Sequence, residues 1–114
     1  MIGTAVHKLY LEGTNLTGAN LSNAGMSMVN LENANLTNAN LSGANLFLGY
    51  LNNANFTSAN LPGANLSSAE LKNANFSNGN LSRVDFTDSN LRNPSLLDFR
   101  LKHATASRSR RQKS

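Results

Sequence analysis

The sequence predicts an all-β solenoid, on three observations. A large apolar residue recurs every five positions from Leu11 to Leu101. A small residue, usually Ala, stands two positions before most of these centres. The remaining positions are filled by Asn, Ser, Thr and Gly, which suit an outer, turning surface. A step of five drifts around an α-helix and alternates faces on a flat strand, so neither keeps the centres on one side. A chain that turns a corner every five residues does keep them inside.

The stretch from Ala34 to Leu46 shows the phrase at its plainest, Ala-Asn-Leu-polar-small repeated. The centres are Leu11, Leu16, Leu21, Met26, Leu31, Leu36, Leu41, Leu46, Leu51, Phe56, Leu61, Leu66, Leu71, Phe76, Leu81, Phe86, Leu91, Leu96 and Leu101. The small inward slots are Ala19, Ala24, Ala34, Ala39, Ala44, Ala54, Ala59, Ala64, Ala69 and Ala74. A spacing of two puts both positions on one side of an extended segment.

The turn residues agree. If centre, polar, small and next Ala form a four-residue turn, its third position is Gly18, Asn23, Asn33, Asn38, Gly43, Asn53, Gly63, Asn73 or Asn78. A type II turn needs positive φ there, which Gly and Asn tolerate. Pro62 falls at the second turn position, where its fixed φ fits.

With those residues in view, the chain resembles the pentapeptide-repeat proteins and their A-(N/D)-(L/F)-x-x phrase, over roughly residues 9 to 103. The resemblance implies a right-handed quadrilateral β-helix with four pentapeptides per coil. Nineteen centres then make nearly five coils. At the usual strand spacing the tower is about 24 Å tall. Residues 1–10 are expected to cap the open end, residues 11–103 to form the β-helix, and residues 104–114 to be a disordered basic tail.

Residues twenty apart stack in columns. One inner column reads Leu16, Leu36, Phe56, Phe76, Leu96, with two Phe rings in adjacent layers. Another reads Met26, Leu46, Leu66, Phe86. Leu9 and Tyr10 fill the inner and outer slots of a degraded first phrase. After Asn93 the phrase decays. Pro94 offers no N–H to a ladder, Phe99 is too large for an Ala slot, and the last coil is expected to be distorted or to end there.

Length allows one domain, and a solenoid manages with few large apolar residues because each coil buries its face on its neighbours. There is no cysteine, hence no disulfide or thiolate chemistry. No apolar run approaches membrane-spanning length, and the first eleven residues lack a signal-peptide pattern, so a cytoplasmic setting is the expectation. The net charge of +4 is an average over two unlike parts. Up to residue 99, Lys8, Lys72, Arg83 and Arg92 stand against Glu12, Glu32, Glu70, Asp85, Asp88 and Asp98. Beyond it, Arg100, Lys102, Arg108, Arg110, Arg111 and Lys113 have no acidic counterpart.

Four features are candidates for function. The first is an outer apolar patch: Met28, Phe47, Leu48 and Tyr50 occupy outward slots that elsewhere hold polar residues, and Tyr10 shares the column of Asn30 and Tyr50. Clustered exposed apolar residues mark contact with something, a protein partner or a second copy, unless the N-terminal segment covers them. The second is the tail, where Arg108, Arg110, Arg111 and Lys113 suit an anionic partner such as nucleic acid; no aromatic is interleaved for base stacking. The third is the column Glu12, Glu32, Asn52, Lys72, Arg92, acidic at one end and basic at the other. The fourth is the hydroxyl row Thr17, Thr37, Thr57, Ser77, which resembles the rows of ice-binding solenoids, although the row beside it is Asn.

Catalysis has no support in the sequence, and no cofactor or metal is implied. His7 and His103 lie at opposite ends of the chain, no carboxylate pair faces a cleft, and a solid tower has no pocket. The resemblance implies a binding or scaffolding protein of bacterial type. Some family members modulate DNA gyrase by imitating duplex DNA with rows of acidic residues. This chain carries Asn at most of those positions, so its near-neutral body disfavours that role.

Overall fold

The computed structural model describes residues 8–94. Over that span the chain is a column of coils with a twenty-residue period. Parallel bridges pair each outward Asn-type residue with the one twenty positions later, from Tyr10 with Asn30 through Glu70 with Asn90. Each coil therefore holds four phrases. The bridges are isolated single residues, and no longer strand forms among the described residues. The reason is local: a turn occupies so much of every pentapeptide that one position per wall is left to pair.

One phrase shows why the sequence repeats as it does. In Leu36-Thr37-Asn38-Ala39-Asn40 every backbone N–H has an acceptor. Leu36 N donates to Asn55 O at 2.7 Å and Asn38 N to Thr57 O at 3.0 Å, both in the following coil. Asn40 N donates to Ala19 O in the preceding coil at 2.9 Å, and Ala39 N closes the phrase's own turn on Leu36 O at 3.0 Å. Thr37 N is the one the ladder leaves over. It donates to Oδ1 of Asn35, two residues back, at 3.1 Å. The Asn that precedes most centres is thus a structural acceptor, and in this phrase it makes the amide accounting complete. Pro62 occupies the same position as Thr37 and has no N–H to place.

The expected left-handed turn residues are found. Gly18, Gly43 and Gly63 have φ of 68–74°, and Asn23, Asn33, Asn38, Asn53, Asn73 and Asn78 have φ of 58–64°. The pattern is stricter than the composition suggests, because Met28, Leu48, Ser58, Ser68, Arg83 and Asp88 adopt positive φ at the same position. The coil imposes the conformation, and the residue type merely fits it well or badly.

The core is two concentric sets of side chains. The large centres from Met26 to Phe86 are 0–3 % exposed, and the Ala slots from Ala24 to Ala74 no more than 1 %. Phe56 and Phe76 stack in adjacent layers, ring centroids 4.9 Å apart and planes within 8°; Phe86 meets Phe76 edge-on at 6.0 Å. Leu9, Leu11, Leu16 and Leu21 are only partly buried, since the coil they belong to has a packed neighbour on one side only among the described residues. Ser89 takes an inward slot and satisfies its buried hydroxyl by donating to Phe86 O at 2.7 Å. At the other end Pro94 is half-buried in an Ala slot with no N–H to close its turn. The expected cap below residue 8, the last coil with Leu96, Phe99 and Leu101, and the tail lie outside the described residues.

Candidate functional site

The five apolar residues of the candidate patch are exposed and lie on one edge of the column. Tyr10 is 69 % exposed, and Met28, Phe47, Leu48 and Tyr50 are 39–45 % exposed, the large apolar residues that stand out to solvent among those described. Their placement follows from the phrase. Phe47 takes the first turn position after Leu46, and its N–H is held by Asn45 Oδ1 at 3.0 Å, as a Ser or Thr N–H would be. Met28 and Leu48 take the left-handed turn position in successive coils, with φ of 63° and 58°. Tyr10 and Tyr50 take bridge positions, two coils apart, with Asn30 between them.

Two of these residues carry a double cost. A Leu or Met side chain in the left-handed region is strained by its Cβ, and here it gains only partial burial in return. The equivalent positions most often hold Gly or Asn, which are at ease there, and otherwise the polar residues Ser58, Ser68, Arg83 and Asp88; Met28 and Leu48 are the large apolar residues among them. Local strain held at an exposed apolar surface is the kind of departure that accompanies a binding role. Leu48→Asn is therefore expected to raise the stability of the isolated protein, by on the order of 1 kcal/mol, whereas Leu48→Ala keeps the strained φ and lowers it. Thermal unfolding of the two variants checks the sign.

A shallow, open depression lies across the Tyr column, lined by Lys8, Tyr10, Met28, Asn30, Glu32 and Tyr50. Lys8 was not among the candidates read from the sequence, and Glu32 was read there as part of the charged column and not of the apolar patch. The signal was available in the columns, since Lys8 is twenty before Met28 and Glu32 follows Asn30 by two. Asn30 Oδ1 accepts from Glu32 N at 3.1 Å, which leaves the Asn30 amide nitrogen pointing to no partner among the described residues. The Tyr10 and Tyr50 hydroxyls likewise have none among the described residues.

The other sequence features resolve differently. In the hydroxyl row, Thr17 and Thr37 donate Oγ1–H to the Asn two residues back at 2.6 Å, and Thr57 does the same to Asn55. Ser22, Ser42, Ser67 and Ser82 repeat this bond on other walls. These protons are committed to neighbouring carbonyls, so the row is turn chemistry first. In the charged column Asn52 bonds to both neighbours, and the bond from Lys72 comes from its backbone N–H. Asn52 donates to Glu32 Oε2 at 3.3 Å and accepts from Lys72 N at 2.8 Å. The basic residues Arg108, Arg110, Arg111 and Lys113 lie outside the described residues, as do His7 and His103. Among the described residues no group of three or more His, Cys, Asp or Glu is placed to hold a metal, and no helix is long and apolar enough to cross a membrane.

Comparison with known proteins agrees with this architecture. The model of the pentapeptide repeats matches residues 14–47 and 50–88, in eight copies. Among solved structures, alr5209, a pentapeptide repeat protein from Nostoc Pcc 7120, is 27% identical; the match covers 82% of this chain and 84% of that one, with a TM-score of 0.76. Rfr23, a pentapeptide repeat protein from the cyanobacterium Cyanothece 51142, is also 27% identical, over 89% of this chain and 86% of its own, with a TM-score of 0.58. QnrB1, a plasmid-mediated fluoroquinolone resistance protein, shares the fold at 18% identity and a TM-score of 0.60; the match covers 93% of this chain but 62% of that one. No curated protein matches the sequence.

Proposed function

The chain belongs to the pentapeptide-repeat family, and from that premise we propose that it is a right-handed quadrilateral β-helix serving as a non-enzymatic protein-binding module. The contact is made through the wall that carries Tyr10, Met28, Phe47, Leu48 and Tyr50. The observation that carries this reading is the coincidence, on one edge, of these exposed apolar side chains with two strained left-handed turns. Twenty-residue coils with a turn at every phrase support the quadrilateral form. Solid packing of every centre from Met26 to Phe86 supports a binding surface over a reaction chamber.

The test is a pair of baits, wild type and Phe47→Ser with Tyr50→Ser, exposed to a soluble lysate and read by mass spectrometry. Both side chains are half-exposed, so the double variant is expected to keep its circular dichroism spectrum and melting curve. A genuine partner is expected to lose affinity by roughly thirtyfold, the scale of removing an aromatic anchor from an interface centre. Equal recovery of every protein by both baits would falsify the assignment of this wall as the contact.

A further inference from the structure

The Tyr column has a geometry that selects among partners, and it deepens the protein-binding reading on which it rests. Tyr10 and Tyr50 are two coils apart in one column, which at the spacing of paired strands separates them by about 9.6 Å along the tower axis. Asn30 lies between them, and its side-chain N–H groups, like the two Tyr hydroxyls, have no acceptor among the described residues. The strip therefore alternates ring, amide donor, ring. Met28 and Leu48 form an apolar shoulder on one side and Glu32 borders the other; Lys8 is the cation among the described residues that line the depression.

Three kinds of occupant can be compared with this strip. A β-strand laid along the strip has little to pair with, because the backbone of Asn30 and Tyr50 is spent. Asn30 N donates to Leu9 O and Tyr50 N to Val29 O, while Asn30 O and Tyr50 O accept from Leu11 N and Leu31 N, all at 2.8 Å. An amphipathic helix places anchors seven residues apart at about 10.5 Å, but its seam between anchors is apolar and would bury the Asn30 amide unpaired. A second copy of this chain offers the same small patch. Five partly exposed side chains present a few hundred Å², well short of the roughly 800 Å² per partner of a stable dimer.

A left-handed polyproline helix fits on each count. It repeats every three residues, about 9.3 Å, so prolines at the first and fourth positions of Pro-x-x-Pro fall opposite Tyr10 and Tyr50. Its backbone makes no internal hydrogen bonds, so its carbonyls are open to the Asn30 amide and the Tyr hydroxyls. Its rings and the flat aromatic faces form the pairing used by aromatic-lined grooves for proline-rich peptides, and its pre-set backbone lowers the ordering cost on a shallow site. The Glu32 carboxylate on the rim, on the side away from Lys8, favours a cationic residue in the ligand at that point. We propose that the Tyr10–Asn30–Tyr50 column is a docking strip for a proline-rich protein segment in the polyproline conformation, lying along the tower axis with a Lys or Arg directed at Glu32.

The test uses the full chain and three synthetic peptides. One contains Arg-x-x-Pro-x-x-Pro, the second has Ala in place of its Arg, and the third has its prolines moved to Pro-x-Pro. Titration is followed by calorimetry and by the NMR signals of residues 28–32 and 50. The first peptide is expected to bind, the second several-fold more weakly, and the third at least tenfold more weakly. Tyr50→Ala is expected to remove binding. Glu32→Gln is expected to erase the difference between the first two peptides, a readout that misfolding does not produce. Absence of any shift at Tyr50 with the first peptide at millimolar concentration overturns the proposal, as does equal binding of the first and third peptides. Wild-type protein that sediments as a dimer, and as a monomer after Tyr50→Ala, would place a second copy on the strip and overturn it as well. A folded partner lost from the double-variant bait while no proline-rich peptide binds would overturn this inference alone and leave the broader reading standing.

Discussion

Phe76→Ala is expected to lower the free energy of unfolding by about 3–5 kcal/mol. Phe76 has no exposed surface, stacks on Phe56 at 4.9 Å and receives the edge of Phe86 at 6.0 Å, so truncation removes one ring from two ring pairs at once. The coils above and below are held at a fixed spacing by the ladder and are poorly placed to close over the void. A small domain has about 5–15 kcal/mol in total, so the variant is expected to lie close to its melting transition at physiological temperature. Phe76→Leu is the control. Leu36 occupies the same column two coils away, fully buried, so this column of the coil accepts Leu, and Leu at position 76 refills most of the volume that Ala leaves empty. Its cost is expected to be well below that of Ala. Equal losses from the two variants, measured by denaturant unfolding, would show that the ring pairs and the void contribute little.

Deleting Gly43 alone is expected to abolish cooperative unfolding, whereas deleting the whole phrase from residue 41 to residue 45 is expected to preserve it. An insertion has an escape, because an extra residue can bulge outward at a corner. A single deletion has none: four residues must span what five span elsewhere, and Gly43 supplies the left-handed position of its turn, φ 68°. The Gly43 N–H to Pro62 O bond and the Ala44 N–H to Leu41 O bond are both lost, and the centres beyond them fall out of step with the coil before. Removing all five residues moves every later phrase back by one wall. Since all four walls read the same phrase, each centre still faces inward and each Asn still meets a turn N–H. The shorter protein is expected to melt in one transition at a somewhat lower temperature. Its apolar patch, however, is dismantled, because Met28 and Leu48 no longer share a column. Paired circular dichroism melts of the two deletions check both halves of the expectation.

The tower was legible in the sequence because its period is carried by chemistry that serves one purpose at each position. Centres and Ala slots and the left-handed turn at Asn38 or Gly43 follow from counting in fives; the Phe56–Phe76 stack follows from counting in twenties, which rested on the family resemblance and its four phrases per coil. The role of Asn35 was less legible. Its type suggested an outer turning residue, but that it captures the one N–H omitted by the ladder becomes visible only when the other four are placed. The single-residue bridges were also hidden, since a phrase rich in paired walls reads as strand until the turns are seen to occupy it. At the candidate site, the five apolar residues stood out as exceptions to the pattern. The strain at Met28 and Leu48 was implicit in that pattern, because both sit where Gly or Asn is the rule. Lys8 did not stand out, because a charged residue in an outward slot is no exception at all, and Glu32 stood out only as part of the charged column.

The ladder has a consequence for how the chain finds its structure. Every bond between coils joins residues about twenty apart in sequence, and the phrase that makes those bonds is nearly the same on all walls. A coil that closes one phrase early, after fifteen residues, costs less loop entropy than the native one by only about 0.3 kcal/mol. Entropy therefore neither selects nor forbids the slipped coil. Hydrogen bonding discriminates little as well, since any Asn can serve any turn. What distinguishes the native alignment is irregularity: Phe56 beneath Phe76, Gly79 in the slot beside Ala59, Val29 and Ser89 in slots that are Ala elsewhere. The imperfections of the repeat act as keys. A consensus version purged of them would keep its bonds and its apolar interior yet populate slipped registers as long-lived folding traps.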